Sequence, residues 1–152
     1  MRRVIMVVFG LMLAGCASPP GGRNARLQGI GSGETVKVNP VGASDIATDV
    51  VTLIKKHYGP GQTVFVVSKK RGPVGEAIDD DLRSAGYGVS VATPTAIAGT
   101  RFRYLADTFD SSGDILVGVG VGGSFYAMRM YQVLPLGNVE REGDWTVREA
   151  SK

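Results

Sequence analysis

The chain has 152 residues, which suits one domain of ordinary size. Its 17 lysines and arginines against 14 aspartates and glutamates give +3, and loss of Arg2 and Arg3 with the signal described below leaves +1. A charge so near zero argues against a nucleic-acid-binding surface, and the single cysteine excludes a disulfide bond within the chain.

The amino terminus has the pattern of a secretory signal. Arg2 and Arg3 precede an almost uninterrupted apolar run over residues 4–13, and small residues follow. A basic start, about ten apolar residues and a small-residue cleavage site are typical of such signals. The run is too short to cross a bilayer, because a spanning helix needs about 20 apolar residues.

A cysteine makes this signal more specific. The apolar run ends in four residues that resemble the lipobox of bacterial lipoproteins: Leu13, Ala14, Gly15 and Cys16. The resemblance implies a signal peptide over residues 1–15 and acylation of the Cys16 thiol, and anchoring through several acyl chains is effectively permanent. Ala17, in place of aspartate, implies sorting to the periplasmic face of the outer membrane. The alternative is an ordinary secreted protein with a chance cysteine.

Residues 16–34 are predicted to form a lipidated flexible tether. Two prolines and several glycines interrupt this stretch and keep it out of regular structure. A coil of this length has an end-to-end distance of roughly 20–25 Å, so the domain can stand off the membrane. We place the small periplasmic domain in residues 35–150.

The start of that domain alternates polar and apolar side chains before Asn39 and Pro40. The alternating residues are Thr35, Val36, Lys37 and Val38. The pattern fits either a short edge strand or an unpaired segment that adds to the sheet of a partner protein, and both interpretations stay open at this point.

The first predicted helix spans residues 44–58. Ser44 is a good N-cap, and Asp45 and Asp49 are expected near the positive end of the helix dipole. Gly59 ends the helix. One stripe of residues at three-to-four spacing is expected to be buried: Ile46, Val50, Leu53, Ile54 and His57.

A strand, a helix and a second strand follow. The β-branched run at residues 63–68 predicts a strand buried on both faces. Pro73 suits the first turn of a helix that Gly86 ends, and residues 87–92 form the next strand. The expected apolar face of this helix consists of Val74, Ile78, Leu82 and Ala85.

The second half of the chain alternates like an antiparallel sheet, and Gly122 and Gly123 suit a two-residue hairpin turn. On the strand before that turn, Ile115 and the following odd-numbered valines share one face, with Leu116 and glycines on the other. The predicted strands are residues 101–109, 115–122, 125–133 and 145–147. We predict an α+β domain with two helices packed on a mainly antiparallel sheet of four to six strands.

One glycine-rich stretch matches a dinucleotide-binding motif in letters. Residues 118–123 read G-x-G-x-x-G, but the mechanism of that motif needs a helix N-terminus directly after the glycines. The residues that follow alternate like a strand and carry no capping signal. We therefore interpret the glycines as part of a strand and hairpin, and predict no cofactor.

The remaining polar clusters do not form a recognisable catalytic set. Asp79, Asp80 and Asp81 point about 100° apart on a helix and do not converge on one ion. His57 has no cysteine or histidine partner nearby in the sequence, and residues 69–71 fit a solvated basic turn. The serines lack a nucleophile-elbow context. We predict a non-enzymatic protein with no metal.

The order of these features resembles the TrbH family of conjugal-transfer lipoproteins, which are chains of about this length with a lipobox and a small periplasmic domain. Besides the lipobox, a helix-to-strand passage and a hairpin carry the likeness. The residues concerned are 13–16, 75–78, 82–89, 117–119 and 126–131.

The resemblance implies a structural component of a type IV secretion (mating-pair formation) apparatus. Such a lipoprotein anchors and stabilises the outer-membrane core beside larger TrbG-like and TrbI-like subunits. We expect the exposed segment 33–40 and the glycine-rich strand 116–122 to be docking edges, and residues 35–38 to contact the larger core subunit. Two alternatives remain: an envelope lipoprotein that binds peptidoglycan or activates a cell-wall enzyme, and a small-molecule-binding or enzymatic lipoprotein supported by the glycine run alone.

Overall fold

The fold is taken from a computed structural model, which describes residues 33–68, 72–93, 98–109 and 111–150. Two α-helices alternate with the first three strands, and four further strands follow. The helices are α1 (Pro40–His57) and α2 (Pro73–Ser84). The strands are β1 (Gly33–Glu34), β2 (Val64–Val67), β3 (Gly88–Val91), β4 (Thr100–Thr108), β5 (Ile115–Val121), β6 (Phe125–Val133) and β7 (Val139–Glu149).

The strands form one mixed sheet in the order β3-β2-β4-β5-β6-β7, and β1 pairs with β4 beside that path. Strands β4 to β7 are antiparallel, whereas β2 pairs in parallel with β3 and β4, and β1 with β4. The parallel pair β2–β3 is joined through α2, since a parallel connection needs a crossover. The predicted α+β class is confirmed, with a sheet slightly larger than expected.

Helix α1 begins four residues before the predicted start. Asn39, rather than Ser44, is the N-cap: its side-chain oxygen accepts a hydrogen bond of 2.7 Å from the Gly42 amide, and Pro40 occupies the first turn. A proline with fixed φ fits that position, where its missing N–H is not needed. Asp45 and Asp49 therefore lie beyond the first turn, and the prediction that they sit near the positive end of the helix was wrong.

Helix α2 starts at Pro73 and ends at Ser84, and the chain then changes direction at Gly86, which has a φ of +88°. Val74, Ile78 and Leu82 are buried, as the spacing predicts. Ala85 lies just beyond the last helical residue and is half-buried against the core. The apolar stripe of α1 is buried as well, except for His57, which lies exposed at the rim because it is the last residue of the helix.

Both helices cover one face of the sheet, and the core lies between them. Phe65 of β2, Phe102 of β4 and the alternate residues of β5 from Ile115 to Val121 point into it. Strand β2 was predicted to be buried on both faces, which is wrong: Val64 is 43% exposed. Among the described residues no helix or strand packs on the other side of β2, so its second apolar face is left open.

Several connections differ from the prediction in detail. The hairpin between β5 and β6 has three residues rather than two, and Gly122 and Gly123 have φ of +63° and +84°. Strand β7 has 11 residues instead of the short strand expected at residues 145–147. Residues 35–38 lie outside the strands, and the edge strand proposed there is instead Gly33–Glu34.

Candidate docking surface

The segment from Thr35 to Val38 connects β1 to the cap of α1. The Thr35 amide donates to the Ala106 carbonyl at 3.0 Å, and the Thr35 hydroxyl donates to the Asp107 carboxylate. Val36 and Val38 are half-buried against the core, whereas Thr35 and Lys37 are exposed. The two valines are thus used within the domain, and the surface of this segment is formed by its polar residues.

Glu34 of β1 forms hydrogen bonds with the first turn of helix α2. Helix α2 has glycine at its N-cap, which offers no side chain to the free amides of the first turn. The Glu34 carboxylate accepts from the Val74 amide at 3.1 Å and from the Gly75 amide at 3.3 Å. A negative charge is favourable at that end of a helix. Gly33 and Glu34, placed by sequence at the end of the tether, thus pair with β4 and cap α2.

A second contact brings α2 against the sheet at close range. A Cβ atom added at Gly75 would lie 2.0 Å from the Tyr104 hydroxyl oxygen. That hydroxyl also accepts from the Gly72 amide at 3.4 Å. The absence of a side chain at Gly75 therefore allows α2 to approach β4, and any larger residue would push the two elements apart.

The turn between β6 and β7 presents an exposed leucine in a strained conformation. Leu136 is 90% exposed and has a φ of +73°, a region that side chains other than asparagine and aspartate rarely adopt. Asn39 holds the turn: its side-chain amide donates to the Leu136 carbonyl at 2.8 Å and to Asn138 at 2.8 Å. Val41, two residues beyond Asn39, is 59% exposed. The two apolar side chains therefore lie at one end of the domain.

A buried carboxylate joins α1 to the far strands of the sheet. Asp49 is 5% exposed, and its Oδ2 lies 2.5 Å from Arg129 Nη1 and accepts from the Tyr131 hydroxyl at 2.6 Å. Arg141 Nε lies 3.3 Å from Oδ1. Burial raises the pKa of Tyr131 far above its usual range, and the hydrogen bond to Asp49 raises it further. The phenol is therefore a donor to Asp49 over the whole physiological range.

The Arg129 side chain continues this contact into β7. Its Nε and Nη2 donate to the Gly143 carbonyl at 2.9 and 2.7 Å, and its guanidinium lies 5.5 Å from the centre of the Trp145 ring. Such a position over an aromatic face is favourable for a cation. Sequence reasoning missed this cluster, although an aspartate within the apolar stripe of α1 and an arginine on the inward side of β6 were signals for it.

The side of the sheet away from the helices is called the open face here. One row across four strands consists of Arg103, Gly120, Tyr126 and Arg148. Near this row the face has a depression of about 650 Å³, with Arg101 among its lining residues. The Tyr126 hydroxyl donates to the Gly123 carbonyl at 2.8 Å, and its ring lies 3.4 Å from where a Cβ of Gly120 would be. The ring is thus fixed beside a glycine floor.

The glycine motif at residues 118–123 forms a strand and a turn, as interpreted from the sequence. Strand β5 leads into the glycine turn and β6 follows, so this stretch presents no helix N-terminus to a pyrophosphate. The expectation that residues 116–122 form a docking edge is wrong, because β5 pairs with β4 on one side and with β6 on the other. Only the open face of β5 is available to a partner.

The other sequence candidates are dispersed. Asp81 accepts from the Thr48 hydroxyl at 3.0 Å, and Asp79 pairs with Arg83 at 3.5 Å. His57 Nδ1 lies 3.1 Å from Glu149, with its ring 4.6 Å from that of Phe125. Within the described ranges no group of acidic, histidine or cysteine side chains could hold a metal ion.

Three predictions fall on residues that lie outside the described part of the chain. They are the signal peptide with its lipobox and Cys16, the tether as far as residue 32, and the basic turn at residues 69–71. In the part that is described, neither helix is both long and apolar enough to span a bilayer.

Comparison with known proteins identifies the family. A family model described as conjugal transfer protein TrbH matches residues 25–149, which is most of the chain. No match was found among curated proteins or among solved structures. The match covers the helix-to-strand passage and the hairpin, confirms the resemblance to this family, and implies a part in conjugal transfer. The lipobox at residues 13–16 lies outside the matched range. The chain belongs to the TrbH family of conjugal transfer proteins.

Proposed function

We propose that this protein is a non-enzymatic, lipid-anchored component of the outer-membrane core of a conjugative type IV secretion apparatus. Its acylated Cys16 inserts into the outer membrane, and the domain stands on the periplasmic side. The single observation that carries the proposal is the TrbH family match over residues 25–149. The lipobox sequence at residues 13–16 supports the anchor, and the buried Asp49 cluster fits a rigid structural domain.

The anchor and the tether have a mechanical consequence. A lipidated domain on a short coil is confined near the membrane, so its effective concentration for membrane-associated partners is in the millimolar range. Weak contacts with the larger TrbG-like and TrbI-like subunits then suffice to hold it in the core. In this role the domain stabilises its neighbours and carries no chemistry of its own.

The first experiment is a pull-down of the full-length protein from its native host in mild detergent, with Cys16→Ser as the control. We expect the wild-type protein to recover large core subunits of the transfer apparatus and the control to recover much less of them. Recovery of cell-wall synthases instead, or of the lipoprotein alone, would favour an envelope-maintenance role and contradict the proposal.

We further propose that the segment from Thr35 to Val38 contacts the larger core subunit. Lys37 is its exposed charge and Val36 is fixed to the core, so the contact is made through the polar side of the segment. Deletion of the segment is a poor test, because it disturbs Glu34 and Asn39, which cap the two helices.

A point substitution isolates this contact. We expect Lys37→Glu to reduce recovery of the core subunit, whereas Lys55→Glu, an equal charge change at the exposed end of α1, leaves recovery unchanged. Equal recovery with both variants would exclude the segment as the contact while leaving the family role intact.

A further inference from the structure

The open face is graded in charge along the strands. Its end near the β5–β6 hairpin is basic, and carries Arg101, Arg103 and Arg148. Its opposite end is acidic, because Asp107, Glu140 and Glu142 occupy the same side of β4 and β7. Among the described residues, each end thus carries three charges of one sign.

Between these ends the open face is apolar and furrowed. Leu105 and Met128 flank Gly118 in the next row, and Leu116 and Met130 follow in the row after that. All four side chains are only half-buried, and Val64 and Val66 of β2 extend the same face. Glycine leaves a shallow furrow along β5 between the side chains of its neighbours. Methionine side chains adapt readily to a facing surface.

This pattern is self-complementary. A two-fold axis that lies between two facing sheets, perpendicular to the strands, reverses the strand direction of one copy relative to the other. The basic end of each open face then meets the acidic end of the other, twice by symmetry, and the apolar middles coincide. An axis parallel to the strands would place like charges opposite each other, which is unfavourable by several kcal/mol.

We propose that the open face is covered by the open face of a second copy of this chain, with the strands of the two sheets running in opposite directions. The two sheets pack about 10 Å apart, as in a β-sandwich. The depression beside Arg101 and Tyr126 receives carboxylates from the acidic end of the partner copy, and arginine favours paired hydrogen bonds to such groups. The proposal holds whether or not the conjugative role is correct.

The test uses the full-length lipidated protein in detergent, with its mass measured by light scattering after subtraction of the detergent. We expect wild type to contain two copies. Arg101→Glu with Arg148→Glu makes the face acidic, and Glu140→Arg with Glu142→Arg makes it basic. All four side chains are exposed, so the fold should tolerate these changes, which circular dichroism checks. We expect each variant to dissociate at least ~10-fold more readily.

A mixture of the two variants provides the decisive measurement. One face is then acidic and the other basic, so we expect a 1:1 mixture to form dimers that neither variant forms alone. Lys55→Glu with Lys56→Glu gives the same charge change as the acidic variant at the exposed end of α1, and should remain dimeric. A monomeric wild type, dimeric single-sign variants, or a mixture that stays monomeric would each overturn the proposal.

Discussion

At the scale of single residues, Asp49 has the largest expected effect on stability. Its carboxylate is buried among Arg129, Tyr131 and Arg141, and each of these reaches it from β6 or β7. A buried ion pair stabilises a fold little more than a well-packed apolar pair does. Removal of one partner is nevertheless costly, because the other charge is then buried without a counter-charge. The cluster therefore fixes how α1 sits on the sheet.

We expect Asp49→Ala to lower the free energy of unfolding by about 3–5 kcal/mol. Without the Asp49 carboxylate, the Arg129 guanidinium loses its buried counter-charge, while its side chain stays only 10% exposed. Asp45→Ala, one turn earlier at an exposed position of α1, should change stability by less than about 0.5 kcal/mol. Urea denaturation compares the two. Similar small losses would show that the cluster does not hold the helix to the sheet.

We expect leucine at position 136 to make the fold less stable than asparagine would. Its side chain buries little, and its backbone is held at a φ of +73° by the contacts with Asn39. Asparagine adopts this region more readily than leucine. Leu136→Asn should therefore raise the free energy of unfolding by about 0.5–1 kcal/mol, measured by the urea midpoint. A decrease would mean that Leu136 makes a stabilising contact in the folded protein.

At the scale of elements, helix α2 depends on residues distant in sequence. Glu34 caps its first turn, and Gly75 allows its close approach to Tyr104. Sequence reasoning placed the helix correctly from Pro73, Gly86 and the spacing of its apolar residues, because these signals are local. It could not find the cap, since Glu34 lies about 40 residues away and is brought there by the pairing of β1 with β4.

We expect Glu34→Ala to destabilise the domain by about 1 kcal/mol through the loss of this cap. Faster hydrogen exchange at the Val74 and Gly75 amides would locate the effect at the start of α2. Asp80→Ala, at an exposed position on the same helix, is the control and should leave exchange at those amides unchanged. Unchanged exchange in the Glu34 variant would exclude it as the cap.

Gly75→Ala tests the approach of α2 to the sheet. The added Cβ would lie 2.0 Å from the Tyr104 hydroxyl oxygen, so one of the two elements must move. We expect a loss of about 1–3 kcal/mol. Gly59→Ala is a matched control, because no atom lies within 4 Å of where its Cβ would be. Equal stability of both variants in thermal unfolding would contradict the close contact.

Two of the errors about elements, the start of α1 and the burial of β2, have clear physical causes. The sequence predicts a start of α1 at Ser44, because Asn39 and Pro40 fit the end of an extended segment equally well. The hydrogen bonds from Asn39 to the β6–β7 turn, which fix the true start, cannot be predicted from local sequence. Strand β2 was predicted to be buried on both faces from its apolar run. Val64 is instead on the open face, and the proposed dimer would give that face the cover that its composition predicts.

At the scale of the whole molecule, the α+β class followed from the alternation of local patterns, and the TrbH family match confirms the resemblance. The candidate surfaces were harder to predict, because the grading of charge on the open face depends on the register of four strands. A sequence shows that β5 carries glycines on one side, but it does not show which side chains of β4 and β7 lie beside them.

The central claim is that a lipid-anchored domain of this family serves conjugal transfer as a structural part. The most direct test is the conjugation frequency of a donor whose copy of this gene is deleted and then replaced in trans. We predict that the deletion severely reduces transfer, that wild type restores it, and that Cys16→Ser at equal abundance does not. Transfer at the wild-type frequency from the deletion donor would contradict the claim.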